Sequence, residues 1–186
     1  MNIARIAEGI DFSPLLSVLE KNKHLFDAIP FRTEFPDSPH REVHDIILRC
    51  PEEISADVID DRFCVNYPAM EVIRKDLYPY LSELMLSVAG VCVGRLIVSL
   101  LEPGAMVYPH ADEGAACNFH HRFHMVLQAE GGCYLIVGDE QVEQKTGEVY
   151  WFNNNLVHSV RNDGETQRVV IIVDLELLNV GEYGGE

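Results

Sequence analysis

The sequence predicts a mainly β protein with flanking helices, in which closely spaced antiparallel strands form a barrel. Leu96–Leu101 is a leucine-rich, β-branched run that Pro103-Gly104 ends, as is typical of a strand followed by a turn. Phe119–Leu127 alternates between an apolar and a basic face, which suits a barrel wall between helices and a polar cavity. The pairs Gly131-Gly132 and Gly138-Asp139 predict tight turns on either side of a short strand.

Two helices and a strand are predicted ahead of this barrel. Asp11 is placed to cap a helix whose apolar residues follow helical spacing as far as Pro30. Ala69–Ala89 predicts a second helix, which Pro79 can kink. Its apolar stripe, expected against the sheet, comprises Val72, Ile73, Leu77, Leu81, Leu84, Met85 and Val88. Between the helices, Val43–Cys50 is predicted to be a strand.

The last third of the chain indicates which barrel architecture to expect. Gly147–Asn162 resembles the second motif of cupin barrels, in which a glycine and a turn precede a metal-binding histidine and an asparagine follows it. Asn153 and Asn155 replace the usual proline and glycine of that turn and also tolerate turn geometry. Val169–Val173 is apolar on both faces, which predicts a strand buried on both sides. The expected fold is a double-stranded β-helix, the jelly-roll barrel of cupin-like proteins.

Three residues of this region have the chemistry of a metal centre. His110 and Asp112 are expected just past a strand, in a turn-rich segment, and His158 lies in the cupin-like motif. Two histidines and a carboxylate are the ligands with which non-haem Fe(II) oxygenases hold their metal on one face, leaving other positions open. His120 and His121 are not expected to be ligands, because most histidines are packed or surface residues.

Arg168 stands at the start of the strand that is predicted to be buried on both sides. A buried guanidinium without an anionic partner is costly, so either the protein or a ligand must supply the anion. The distal carboxylate of 2-oxoglutarate would suit it, because arginine holds a carboxylate through two parallel, charge-assisted hydrogen bonds.

Five stretches in order, SLLEPGAMVYPHAD, RFHMVL, EGGCYLIV, GEVYWFNNNLVHSV and RVVIIVDL, resemble the aspartyl/asparaginyl β-hydroxylase family of Fe(II)/2-oxoglutarate dioxygenases, which includes bacterial proline cis-4-hydroxylases. The resemblance implies that His110 and His158 bind iron and that O2 is a further co-substrate. It also implies that 2-oxoglutarate is contacted by Ser99, Arg122, His124 and Arg168. Family members that act on EGF-like domains carry glycine in place of Asp112, whereas the proline hydroxylases keep the acid, so Asp112 is expected to be the third ligand.

From these observations we expect the protein to hydroxylate an amino acid, either free or within a peptide or protein. One alternative is another metal-dependent cupin enzyme, an isomerase or hydrolase, and another is a non-catalytic barrel that binds a small acid or a protein partner. Arg122 could instead be a structural ion-pair arginine. The candidates for substrate contact are His44 and Arg49 on the N-terminal strand, which could equally be exposed residues of an edge strand, and Asn155 in the turn before His158.

Length and composition set the remaining expectations. The 186 residues, 47% of them hydrophobic, suit a single globular domain, with residues 1–90 on the substrate side and 91–178 forming the metal-binding core. The formal net charge of -16 makes binding to nucleic acid or to anionic membranes unexpected. The odd number of cysteines, five, without metal-binding spacing, and the absence of a long apolar run near the start favour a reduced, cytoplasmic location.

Overall fold

The computed structural model describes residues 1–34, 36–52, 63–112 and 119–178. Within these residues two helices and two antiparallel sheets are formed. The elements in chain order are β1 (Ile3–Ala7), α1 (Ser13–Lys21), β2 (Val43–Cys50), β3 (Val65–Asn66), α2 (Pro68–Val88), β4 (Gly90–Leu101), β5 (Met106–His110), β6 (His121–Gln128), β7 (Cys133–Val137), β8 (Glu140–Glu143), β9 (Val149–Phe152), β10 (His158–Asn162) and β11 (Arg168–Leu177).

The strands pair in two sheets that pack face to face. The larger sheet has the order β1-β9-β6-β11-β4-β2-β3 and the smaller sheet the order β5-β10-β7-β8. Buried apolar side chains of both sheets meet between them, for example Phe152 of the larger sheet with Leu135 and Val160 of the smaller one. This arrangement is the predicted jelly-roll barrel, and the mainly β fold class is confirmed.

The other face of the larger sheet carries the main hydrophobic core, where it packs against the helices. Ile46, Met125 and Ile171 of three strands contact buried residues of α1 and α2 in one cluster. The buried residues of α2 are Met70, Ile73, Leu77, Leu81 and Leu84. Burying each such side chain contributes about 1.5–3 kcal/mol, so this cluster stabilises the sheet that supports the site. Of the predicted stripe, Val72 lies outside the core and is 43% exposed.

The first helix is shorter than predicted. It ends at Lys21, and a separate 3-10 turn covers Lys23–Leu25 instead of a helix continuing to Pro30. The Asn22 side chain donates a hydrogen bond to the Val18 carbonyl at 2.9 Å, at the point where the helix ends. Such side-chain bonds to the backbone compete with helix continuation, which explains the early stop. Within the described residues, neither helix has both the length and the apolar character needed to cross a membrane.

Several strand boundaries also differ from the prediction. β4 begins at Gly90, well before Leu96, and β6 begins after Phe119, which is 44% exposed. His110 is the last residue of β5, not part of an irregular segment beyond a strand, while Asp112 does follow a strand end. The predicted strand Val43–Cys50 is present with those bounds, as is the strand between the two glycine turns.

Candidate metal centre

The two candidate histidines lie opposite each other on neighbouring strands of the smaller sheet. His110 ends β5, His158 begins β10, and the two residues are cross-strand partners. One potential ligand atom each from His110, Asp112 and His158 lies within 4.8 Å of the other two. The structure therefore brings together the three residues that the sequence singled out, and neither His120 nor His121 belongs to this group.

Both imidazoles are held in the same way by backbone carbonyls two residues earlier. His110 Nδ1 lies 2.8 Å from the Tyr108 carbonyl oxygen, and His158 Nδ1 lies 3.0 Å from that of Leu156. A carbonyl only accepts, so each Nδ1 carries the proton and each Nε2 offers its lone pair. Burial lowers the pKa of His158 to about 4 and also lowers that of His110. Both rings are therefore neutral at pH 7, the state that binds metals.

Asp112 presents its two carboxylate oxygens to different neighbours. Oδ1 lies 3.6 Å from His110 Nε2, on the side of the histidines. Oδ2 accepts a hydrogen bond from Asn154 Nδ2 at 2.8 Å and another from Arg122 Nη1. Burial opposes ionisation of this carboxyl group, yet the Arg122 guanidinium holds its pKa below the ordinary value. Asp112 is therefore a carboxylate at neutral pH.

Arg122 connects Asp112 to a second buried carboxylate. Its Nε and Nη2 each donate to Asp174 at 2.8 Å, and Arg95 Nε donates to the same carboxylate at 2.9 Å. Asp174 is 2% exposed, and the two arginines overcome the effect of burial and hold its pKa well below the usual range. Four alternating charges thus form one buried chain that ends at the metal centre.

Arg168 is the largest fully buried side chain in the described part of the protein and is 2% exposed. Its Nε and Nη2 donate to Gln144 Oε1 at 3.0 and 2.6 Å, and Nη2 lies 3.3 Å from His124 Nδ1. No carboxylate of the described residues pairs with it. Burial lowers its pKa to about 10, which still leaves it charged at neutral pH. Arg168 is a buried cation with neutral neighbours.

Ser99 and His124 lie on the same buried face of the larger sheet as Arg168. Ser99 is opposite Val170 of β11, two residues from Arg168, and His124 is opposite Ile172. His124 is 4% exposed and its ring packs edge-on against Phe152, with centroids 4.7 Å apart. Phe152 in turn contacts His158, with centroids 5.2 Å apart. The arginine region and the metal-ligand region are therefore adjoining parts of one cavity wall.

This arrangement fits a metal ion of the Fe(II) class. The donor set consists of two neutral imidazole Nε2 atoms and one carboxylate oxygen, which is the set that such sites use. His110 Nε2 is buried and has no hydrogen-bond partner among the described residues, although a buried ring nitrogen normally finds one. An ion at the centre of the three ligands would satisfy it.

A family model described as Aspartyl/Asparaginyl beta-hydroxylase matches residues 70–177, which is more than half of the chain. The chain belongs to this family. The match contains all three candidate ligands together with Arg122 and Arg168.

Individual relatives of this family member are distant. Aspartate beta-hydroxylase domain-containing protein 2 of Xenopus tropicalis is 28% identical over 106 residues, 55% of this chain and 28% of that protein. L-proline cis-4-hydroxylase of Rhizobium meliloti (strain 1021) is 26% identical over 114 residues, 60% of this chain and 40% of that protein. The chain therefore spans less than half the length of each. A solved viral collagen prolyl hydroxylase from Paramecium bursaria Chlorella virus-1, in complex with 2OG, has the same fold at TM-score 0.54 and 11% identity, covering 96% of this chain and 97% of its own.

The predicted substrate residues do not join the metal centre of this hydroxylase-family chain. His44 pairs with Asp27 at 2.6 Å and lines a cavity with residues of α1, on the helix side of the larger sheet. Arg49 donates to the Val93 carbonyl and to Asn66 Oδ1, at 3.0 Å each, and lines a groove beside α2. His44 faces the helices because it alternates with the inward-facing Val43 and Asp45. A register shift between Ile47 and Arg49 brings Arg49 opposite Leu96 of the helix-side core.

Asn155 is exposed, and its neighbour Asn154 is the residue that reaches the site. Besides its side-chain bond to Asp112 Oδ2, Asn154 accepts a hydrogen bond from the Asp112 backbone N–H at 3.0 Å through its carbonyl oxygen. The run of three asparagines predicted a turn but not which member faces inward. That choice depends on how the turn packs against the segment after β5.

A second group near the metal ligands was not predicted. The His40 ring packs edge-on against His110, with centroids 4.7 Å apart, and His40 Nδ1 accepts a hydrogen bond from Arg32 Nη2 at 2.8 Å. Arg32 also pairs with the buried Asp45 at 3.1 Å. The Pro39 carbonyl accepts from the Tyr108 N–H at 2.9 Å, which keeps this segment alongside β5. The sequence SPHREV gives one signal, a histidine beside two charges, but no periodicity that would place it.

Proposed function

We propose that this protein is an Fe(II)- and 2-oxoglutarate-dependent dioxygenase that hydroxylates an unactivated C–H bond of an amino acid, either free or within a peptide or protein. The observation that carries the proposal is the convergence of His110, Asp112 and His158, with both Nε2 atoms available for a metal. The buried Arg168 without a carboxylate partner is the second support, because it suits an acidic co-substrate.

His110 Nε2, His158 Nε2 and Asp112 Oδ1 would hold the iron. Fe(II) bound there supplies the activation of O2 and the oxidative decarboxylation of 2-oxoglutarate that this class of enzyme uses. The backbone carbonyls of Tyr108 and Leu156 fix the two imidazole tautomers, so the protein orients its ligands before any metal arrives. Phe152 packs between His158 and His124 and excludes water from this side of the cavity.

Arg168 would bind the distal carboxylate of 2-oxoglutarate through two of its N–H groups. In the described structure Nη2 and Nε point to a neutral amide, Gln144, which can give way to a charged acceptor at little electrostatic cost. His124 and Ser99, on the same sheet face, are further candidates for contact with the co-substrate.

The test is succinate formation from 2-oxoglutarate by purified protein in air, with and without added Fe(II). L-proline is the first free amino acid to try, because one relative is an L-proline cis-4-hydroxylase, and peptides that contain aspartate or asparagine follow. We expect succinate that depends on Fe(II), rises with the correct substrate and is suppressed by N-oxalylglycine in competition with 2-oxoglutarate. The control is His158→Ala, which removes a ligand.

Other outcomes would identify the alternatives. Activity that depends on Zn(II) or Mn(II) and needs no 2-oxoglutarate would assign the site to another class of metal-dependent cupin enzyme. Succinate formation no greater than that of His158→Ala, under every metal and substrate condition, would contradict the proposed dioxygenase.

A further inference from the structure

We propose that Arg122 and Asn154 are positioning residues for Asp112, which hold its Oδ2 so that Oδ1 faces the metal position. The inference rests on the metal site of the proposed function. It assigns to Arg122 a role different from the contact with 2-oxoglutarate that the family resemblance implies.

The first support is the hydrogen bonding of Asp112 Oδ2. A carboxylate oxygen has two lone pairs, and Oδ2 already accepts bonds from Asn154 Nδ2 and Arg122 Nη1. Binding the metal through both oxygens would require at least one of these bonds to break within a buried site. Oδ1, in contrast, lies toward His110 Nε2 at 3.6 Å, in the direction of the metal position.

Asn154 holds Asp112 at two points. Its side-chain amide donates to Oδ2 at 2.8 Å, while its carbonyl oxygen accepts the Asp112 backbone N–H at 3.0 Å. The first bond fixes the side-chain torsion of Asp112, and the second fixes its backbone relative to the turn before His158. Asn154 is 5% exposed, so water competes little with either bond.

Arg122 is held in turn by Asp174. The fork of Arg122 Nε and Nη2 meets Asp174 with two bonds of 2.8 Å, which leaves Nη1 directed at Asp112. Arg95 Nε donates to the same Asp174 carboxylate, so Asp174 shares its charge between two arginines. Each nitrogen of the Arg122 guanidinium donates to a protein carboxylate. Two of them fix the arginine on Asp174, and the third acts on Asp112.

The experiment measures Co(II) binding alone, without 2-oxoglutarate, by calorimetry and by the visible absorption of the bound ion. Asn154→Ala and Arg122→Lys are each made in the parent chain and in an Asp112→Ala background. In the parent chain each change should weaken Co(II) binding by about 10- to 100-fold, the usual effect of removing a partner of a metal ligand. In the Asp112→Ala background each should cause no further loss, because the residue through which it acts is gone.

The absorption spectrum and a matched variant separate positioning from general damage. Asn154→Ala should alter the Co(II) bands in intensity or position, because the carboxylate is free to rotate, while the far-ultraviolet circular dichroism stays that of the parent. Asn155→Ala, one residue away and exposed, should leave the Co(II) affinity unchanged. Arg122→Lys loses the two-pronged pairing with the buried Asp174, so Asn154→Ala alone tests the inference if the Arg122→Lys variant does not fold.

Three results would overturn the inference and leave the proposed function standing. Equal losses of Co(II) affinity with and without Asp112 would show that the two residues act on the fold alone. Unchanged Co(II) affinity in Asn154→Ala would show that Oδ2 needs no restraint, and weaker 2-oxoglutarate binding by Arg122→Lys with parental Co(II) affinity would support the co-substrate role instead. A parent chain that binds no Co(II) would overturn the proposed function as well, so the two failures are distinguishable.

Discussion

At the scale of single residues, Arg168 has the most unusual environment. Its side chain is 2% exposed, its hydrogen-bond acceptors are neutral, and burial lowers its pKa to about 10. A buried charge without a counter-charge destabilises the folded state. A ligand anion that pairs with this charge would therefore bind favourably and stabilise the folded protein. The residue is therefore best tested through ligand binding.

The first prediction is that Arg168→Ala raises the dissociation constant of 2-oxoglutarate about 30-fold or more, equivalent to about 2 kcal/mol, because a charge-assisted pair is lost. Arg168→Lys should recover only part of this. Calorimetry on Mn(II)-loaded protein measures it, with Arg74→Ala on the exposed face of α2 as control. An Ala variant with parental affinity would show that another group binds the distal carboxylate.

The second prediction concerns Asp112→Gly. The variant should fold normally, because the residue follows a strand and has no helix or sheet position to disturb. It should need far more added Fe(II) and lose most succinate production, because one anionic ligand is gone and Arg122 loses an acceptor. His110→Ala and His158→Ala should abolish production. Unchanged iron dependence in the glycine variant would mean that two histidines hold the metal without Asp112.

At the scale of elements, the turn at Gly131-Gly132 packs so closely on the turn before β11 that a side chain at position 132 has no room. Gly131 and Gly132 both have positive φ, of 75° and 71°. A Cβ on Gly132 would lie 2.7 Å from the backbone nitrogen of Gly164 in the turn before β11, whereas one on Gly131 would meet nothing within 4 Å. The two turns are also joined by a bond of 2.8 Å from the Asp163 N–H to the Gly132 carbonyl.

The third prediction compares these neighbours. Gly131→Ala should reduce the free energy of unfolding by about 1 kcal/mol, the cost of a left-handed conformation for alanine. Gly132→Ala carries the same backbone cost and a clash with backbone that cannot rotate away, so it should lose about 2–4 kcal/mol in total. Urea denaturation of both variants gives the comparison. Equal losses would show that the turn before β11 moves aside freely.

The elements that sequence could predict are those with a long, regular pattern. α2 begins and ends within about one residue of the prediction because its apolar stripe continues over five turns. The short β1 was missed, since none of its residues is buried and it becomes a strand only by pairing with β9 at the sheet edge. Likewise, β5 looks turn-like because Gly104 lies just before it and Pro109 within it, although pairing with β10 makes it a strand.

The residues of the candidate site also differ in how far the sequence could predict them. Ligand types with known spacing, His110, Asp112 and His158, could be proposed from the chain and do lie together. The roles of Asn154 and Asp174 could not be predicted, because Asn154 reaches Asp112 through the packing of its turn and Asp174 acts through Arg122. From the sequence alone, His44 and Arg49 could lie on either face of β2, and the structure places both on the helix side.

At the scale of the whole molecule, the barrel buries several neutral histidines. Burial lowers the pKa of His124 well below its usual value, aided by the Arg168 charge, and lowers that of His158 to about 4. The unfolded chain would protonate these rings near pH 6.5. Each therefore stabilises the folded metal-free protein fully above about pH 6.5, and this contribution is lost as the pH falls through that value toward the folded-state pKa.

The fourth prediction is that metal-free protein in EDTA loses stability between pH 7 and pH 5. The slope should be about 1.4 kcal/mol per pH unit for each extra proton that the unfolded chain binds. Urea midpoints at several pH values measure it, and His124→Gln should flatten the slope. Buried Asp174 contributes only in more acidic solution, because arginine partners keep its pKa well below the ordinary range. A flat profile from pH 7 to 5 would contradict the assignment of neutral buried rings.

The pairing of His110 with His158 also determines when in the life of the chain the centre can form. The two ligands come from strands that meet only after residue 158 has been synthesised. The larger sheet, which supports them, is completed still later, because β11 lies at its middle between β6 and β4. A nascent chain on the ribosome therefore has no metal site to load until almost all of β11 has emerged. A metal ion that binds as proposed would therefore meet a chain in which both sheets are already complete.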